Sequence, residues 1–379
     1  MPYIKSDNVA MYKGADWSGL IKTVPNCTAE SARIIATVDP DIAFYFFCRD
    51  GMILEPTNGN PERIFSPGDA VFFSGQPTWG SAPQCDGYVK DSINVAYVGN
   101  DWSGVSTIND YTTAQGLNAV DIVCLFGANL NVTPAAGAQR LAPNVTVPPG
   151  GTLACVNTVC MPVLQSGVAP LQQQGVAVLM TLVGNHDAAG WSNFTDDAAG
   201  EANAGLFAEQ LVDTIQTYGL NGIDIDDEYS NPLWTNQGSL AMVTTLMRRQ
   251  FAAAFDPASQ PKAITKALWD DLYSPDAFGT DWDGNSLAGN LDYGFYMGYG
   301  ADPRGVFSGY LSAGMTKPKL GMGFWTGQPS EDPTGDIAWL KGQGYVGYMI
   351  FAWGESGNTQ LMGELVDAWM GPGNWNPSS

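Results

Sequence analysis

From Ile93 onward the chain repeats one unit, a short apolar run followed by a turn and, in several cases, a stretch with helical spacing. The runs are INVAYVG, AVDIVCLFG, VAVLMTLVG, NGIDID, LDYGFYMGYG, PKLGMGFW and YVGYMIFAW, with AITKALW a weaker candidate for an eighth. Between them, AGLFAEQLVDTIQTYG and SLAMVTTLMRRQFAAAF place apolar residues three and four apart, the period of an amphipathic helix. Strands alternating with helices predict a parallel sheet, and eight strands over about 280 residues predict a (β/α)8 TIM barrel spanning residues 91–379. An open doubly wound sheet is the competitor, but no G-x-G-x-x-G follows the first run.

The first ninety residues have another rhythm. ARIIATV, IAFYFFC, MILE and AVFFS are short β-branched and aromatic runs separated by DPD, RDG, NGNP and SPGD. That pattern predicts a small β-rich domain over residues 1–90. It carries no chemistry of its own, which leaves a carbohydrate-binding module, a lid over the barrel mouth or a structural cap. The stretch from Asn129 to Met161 is rich in Pro and Gly and is expected to be a long loop, a kind often functional or disordered.

Composition narrows the partners. Hydrophobic residues make up 45% of the 379 positions, enough for a sizeable core, and no run of eighteen apolar residues predicts a membrane span. A net charge of −22 repels phosphate backbones and anionic lipid, so neither nucleic acid nor a membrane is an expected partner. A neutral substrate is tolerated, and twelve Trp and fifteen Tyr offer flat faces on which sugars stack. With one histidine and no C-x-x-C pair, neither a zinc site nor any other cofactor is expected. Of the six cysteines, Cys155 and Cys160 are close enough in sequence to clip one loop, and Cys27, Cys48 and Cys85 share the first ninety residues. Sequons at Asn26, Asn144 and Asn193 and the scarcity of lysine favour secretion, although MPYIKSDNVAMY has no signal pattern and a cytosolic location is the alternative. A monomer is expected.

The candidate chemistry lies in YGLNGIDIDDEYSN, Tyr218 to Asn231, where four acids fall within five positions. Side chains alternate along a strand, so Asp224, Asp226 and Glu228 share one face and Ile223, Ile225 and Asp227 the other. In a barrel, the isoleucines pack against the helices and the three acids point inward near the C-terminal mouth, where barrel enzymes keep their catalytic groups. Mutual repulsion and burial raise at least one pKa and create a proton donor near neutrality. Glu228, nearest solvent, is the expected acid. Asp226 is placed to steady positive charge, with Asp224 behind it to share a proton. The competing readings are a solvated acidic turn and a calcium loop, the latter disfavoured because Ile223 and Ile225 suit one badly.

NGIDIDDE resembles the D-G-x-D-x-D-x-E signature of family 18 glycoside hydrolases, which include chitinases and endo-β-N-acetylglucosaminidases. VAYV at Val95, LQQQGVAVLMTLVGNH from Leu171 and LDYGFYMGYG are similar to bacterial endoglycosidases of the H type, and the likeness covers roughly Ile93 to Trp369. The resemblance implies retaining hydrolysis in which the substrate's N-acetyl oxygen attacks the anomeric carbon. It implies that Glu228 protonates the leaving oxygen, that Asp226 orients the acetamide with Asp224 behind it, and that Tyr299 holds the acetamide carbonyl. Tyr296 and Asn185, in the same matched segments, are further candidates for substrate binding. The expected substrates are N-glycans or other GlcNAc-containing oligosaccharides, with linear chitin or a non-catalytic lectin as alternatives. Two positions depart from the pattern. Asn221 stands where the signature has its first Asp, and Trp353 resembles a chitinase residue that floors the reacting sugar's subsite, with a packing role the competing reading. Trp325, Trp191 and His186 are weaker binding candidates.

Overall fold

The computed structural model describes residues 3–11, 17–54, 63–99, 102–184, 189–228, 235–269 and 278–377. Eight strands form a closed parallel ring: Ile93–Val98, Ile122–Asn131, Ala177–Val183, Gly222–Asp226, Ala263–Leu268, Tyr293–Tyr296, Leu320–Phe324 and Gly347–Trp353. The first pairs with both the second and the eighth, so the ring has no free edge. AITKALW is the fifth strand. The predicted helices are Ala198–Tyr218 and Ser239–Ala254, which flank the acidic strand on either side in sequence.

Ends of the first helix explain why that strand starts where it does. Asp197 caps the N-terminus by accepting a bond from the Gly200 amide at 2.7 Å, and Gly219 closes the C-terminus at φ +70, a conformation that suits glycine. Leu220 and Asn221 then turn the chain into Gly222. The side of the strand facing the helices carries Ile223 and Ile225, both fully buried with Phe207, Leu211 and Ile215. Burial of each such side chain contributes roughly 1.5–3 kcal/mol. A second cluster fills the barrel interior, including Val95, Tyr97, Cys124, Leu179, Phe295 and Met349.

Residues before the barrel form a five-stranded antiparallel sheet in the order Tyr3–Ser6, Cys85–Lys90, Phe44–Cys48, Ala70–Phe73, Leu20–Val24. One expected strand is corrected here. ARIIATV belongs to a helix, Ala29–Val38, started by a reciprocal Thr28–Ser31 capping box. Its Ala32, Ile35 and Ala36 pack on the sheet, while Ile34 and Val38 enter the cluster inside the barrel. The β-branched residues Ile34, Ile35, Thr37 and Val38 make this stretch read like a strand, although Glu30, Arg33 and Thr37 keep helical spacing.

The same helix fixes where the sheet sits. Arg33, buried, donates to Asp121 at 3.0 Å and to the Asn118 carbonyl at 2.8 Å, and the Tyr293 hydroxyl donates to the Thr37 carbonyl at 2.8 Å. Asp121 precedes the second strand and Tyr293 begins the sixth, so the sheet closes the N-terminal end of the barrel and not its mouth. The lid reading is thereby overturned. Deleting residues 1–90 is expected to expose the apolar barrel base and give insoluble protein, measured as the soluble fraction after expression; a soluble, cooperatively melting barrel would refute this.

The stretch from Asn129 to Met161 is not a structureless loop. The second barrel strand runs on to Asn131 and pairs with Leu153–Asn157, which pairs in turn with Ala138–Arg140. Among the described residues, no helix is long and apolar enough to cross a membrane.

Candidate active site

Alternation along Gly222–Asp226 points Asp224 and Asp226 into the barrel, both buried. Three hydroxyls hold Asp224. Tyr97 and Thr265 donate to Oδ1 at 3.0 and 2.5 Å, and Thr181 donates to Oδ2 at 2.8 Å. Thr181 and Thr265 are its register partners on the neighbouring strands. Burial pushes the Asp224 carboxyl up to about 6 against the opposing pull of these bonds.

Asp226 differs. Its Oδ1 is buried and has no hydrogen-bond partner within the protein. Burial first, then the charge of Glu228, push its carboxyl well above the usual range, with Lys266 pulling the other way. Glu228 follows the strand's last residue by two positions and is exposed. The fourth acid, Asp227, accepts from the Ser192 hydroxyl at 2.5 Å. Asn221 accepts from the Gln172 side chain at 2.7 Å and the Val178 amide at 2.9 Å, a bracing role at the base of the strand.

Tyr299, just beyond the sixth strand, also carries a buried hydroxyl without a protein partner. That hydroxyl is pushed up by burial and then by the charges of Asp226, Glu228 and Asp224, which places it beside the carboxylate row. Gly323 makes room for it, since a Cβ there would lie 2.9 Å from the Tyr299 ring. Around Tyr299 stand Phe351 and Trp325, with ring centroids at 5.7 and 5.8 Å, and Phe126 meets Phe351 edge-on at 5.5 Å. Trp325 is half-buried and donates to Glu355 at 3.2 Å.

Two expected site residues lie elsewhere. Phe295 and Met297 line the interior, so Tyr296 between them faces the helix layer and packs on Phe307 at 6.2 Å. Trp353 is likewise in the outer layer, buried, its indole donating to Thr107 at 3.0 Å. Met349 and Phe351 face inward, and simple alternation would send Trp353 after them. Ala352 intervenes at φ +56, a left-handed residue that breaks the alternation, and the pairing with the first strand shifts register beside it. Trp191 is also core, bonded to the Leu182 carbonyl at 2.8 Å. Asn185 and His186 lie outside the described residues. The sequence reading missed Tyr97, Thr181 and Thr265 beneath Asp224, and Phe126 and Phe351 at the mouth. Inward alternation along its own strand was the signal for each.

An unpartnered carboxyl oxygen and an unpartnered phenol beside the same carboxylate row call for a ligand that supplies an acceptor and an N–H together. A secondary amide has that pair. Aromatic rings beside it suit the apolar face of a sugar.

No family model matches the chain. An endo-β-N-acetylglucosaminidase of Flavobacterium sp. (strain SK1022) is 32% identical over 157 residues, 41% of this chain and 44% of that protein. Endo-β-N-acetylglucosaminidase F1 of Elizabethkingia meningoseptica is 26% identical over 270 residues, 70% of this chain and 72% of that protein. The chain is similar in sequence to these two endo-β-N-acetylglucosaminidases. The match spans less than half the length of the first of these enzymes. In three dimensions, Bacteroides thetaiotamicron EndoBT-3987 in a complex with Man5GlcNAc product superposes with a TM-score of 0.55 at 17% identity, covering 99% of this chain and 90% of that one. A family 18 chitinase from Cycas revoluta in complex with (GlcNAc)3 gives 0.52 at 12% identity, covering 73% and 100%. Both structural likenesses bear on the fold. The likeness in sequence is to the two endo-β-N-acetylglucosaminidases above.

Proposed function

We propose that the chain is an endo-β-N-acetylglucosaminidase that cleaves the GlcNAc-β1,4-GlcNAc core of N-glycans, high-mannose forms preferred, by retaining, substrate-assisted hydrolysis. The observation that carries this reading is the pair of orphan atoms, Asp226 Oδ1 and Tyr299 Oη. An N-acetyl group satisfies both: its carbonyl accepts from Tyr299 and its N–H donates to Asp226. Held so, the acetamide oxygen attacks the anomeric carbon while Glu228 protonates the leaving oxygen. The positive oxazolinium that forms is steadied by Asp226, with Asp224 fixed behind by its three hydroxyls. Water activated by the same Glu228 then opens the ring.

Trp325, with Phe351 and Phe126 beside it, offers the stacking surface that Trp353 does not. Trp325→Ala is expected to raise KM for an N-glycan about 10-fold, equivalent to about 1.4 kcal/mol of lost sugar contact, with a smaller change in kcat. An unchanged KM would remove Trp325 from the subsite.

Binding of the glycan Man9GlcNAc2Asn by EndoBT-3987 supports the N-glycan reading by analogy. The net charge of −22 adds an expectation that sialylated glycans are poor substrates. The deciding experiment incubates the protein with a high-mannose glycoprotein and, separately, with chitotetraose. Mass spectrometry should find one GlcNAc left on asparagine and chitotetraose largely intact. Rapid cleavage of chitotetraose with an untouched glycoprotein would make the chain a chitinase.

A further inference from the structure

We propose that Cys48 and Cys85 are joined by a disulfide in the mature protein, a cross-link within the sheet that closes the barrel's base. Cys48 ends the strand Phe44–Cys48 and Cys85 begins Cys85–Lys90. The strands are antiparallel neighbours, and these two residues stand directly opposite each other in the register. Both side chains are fully buried, and each Sγ has the other as a contact at 3.0 Å. Cys85 also contacts the Met52 thioether, at 3.8 Å. Register, burial and proximity together suit a cross-link, since directly opposed residues on antiparallel strands hold their Cα atoms about 4.5–5.5 Å apart. Spacing in sequence favoured Cys155 and Cys160, five residues apart; the fold brings together a pair separated by 37.

The link closes a loop containing the hairpin Met52–Leu54 with Arg63–Phe65, and it lies in the apolar layer with Phe46, Phe65 and Phe73. Closing a loop of that length removes unfolded conformations and so favours the folded sheet. The reaction consumes a disulfide of the thiol–disulfide oxidoreductase class. One cysteine thiolate attacks that disulfide and expels a thiolate from it, forming a mixed disulfide. The second cysteine, as thiolate, displaces the oxidoreductase sulfur and completes the new S–S bond. Two electrons and two protons leave the chain, and the oxidant ends as a dithiol. Because neither sulfur is exposed in the folded sheet, the exchange takes place during folding, in an oxidising compartment. This agrees with the secretion expected from sequence.

The test uses the full chain, refolded in a glutathione redox buffer and, separately, exported to a bacterial periplasm. Denatured protein is alkylated without reduction and then digested. The expected result is protection of Cys48 and Cys85, with a peptide joining them that is 2 Da lighter than the sum of its reduced parts. The melting midpoint of wild type should fall by several degrees in dithiothreitol, and that of Cys48→Ala/Cys85→Ala should not respond, with glycan turnover unchanged. Full alkylation of Cys48 and Cys85 in both preparations, or a bridge joining either of them to another cysteine, would overturn the proposal. The mass measurement stands even if the double variant does not fold.

Discussion

Glu228→Gln is expected to reduce hydrolysis of a high-mannose glycoprotein by about 10²–10⁴-fold, the usual worth of a positioned acid–base group. The side chain is exposed, so the melting midpoint should stay close to that of wild type. Glutamine keeps the shape and loses the proton that the leaving oxygen needs. The fall should therefore appear in kcat, with KM altered little. Stopped-time assays read by mass spectrometry, beside a thermal melt, check both halves. Retention of more than a tenth of the wild-type kcat would remove Glu228 as the acid.

Asp226→Asn should act in opposite directions on activity and stability. Turnover is expected to drop by about 10²–10³-fold, because an uncharged amide cannot balance the developing positive charge. Stability at neutral pH should rise by about 1 kcal/mol, the scale typical of relieving a strained active-site group. The folded state holds the Asp226 proton more tightly than the unfolded chain does, since burial and Glu228 both oppose ionisation. Protonation therefore favours folding. That contribution is complete below the ordinary carboxylate value near pH 4 and is lost as pH rises toward the folded value. Asp224 and Asp121, each pushed up to about 6 mainly by burial, slope the same way between about pH 4 and 6. The melting midpoint of wild type should thus fall as pH is raised through that window and beyond. Asp226→Asn should lessen that decline. Parallel wild-type and variant curves would refute the assignment of that slope to Asp226.

Much of the barrel could be read from sequence because its strands are apolar runs and its helices keep a polar side. Ala29–Val38 is the exception: it lies between a sheet and a barrel, and its β-branched run Ile34, Ile35, Thr37, Val38 reads as a strand although its polar residues keep helical spacing. The inward set of Asp224 and Asp226 followed from alternation, as did the outward isoleucines. Alternation misplaced Trp353 because one left-handed residue, Ala352, intervenes, and nothing about an alanine announces that conformation. Tyr296 was misplaced for another reason. It shares a motif with Tyr299, but its neighbours Phe295 and Met297 face the interior and leave it in the outer layer. The hydroxyls under Asp224 come from three other strands, a convergence that only the register reveals.

Placement of the antiparallel sheet at the N-terminal pole has a practical corollary. A glycan still attached to a folded glycoprotein is bulky, and its carrier has to approach the opposite pole along the barrel axis. Fixing the protein to a solid support through its first residues would thus turn the proposed reactive end outward, toward incoming glycoprotein.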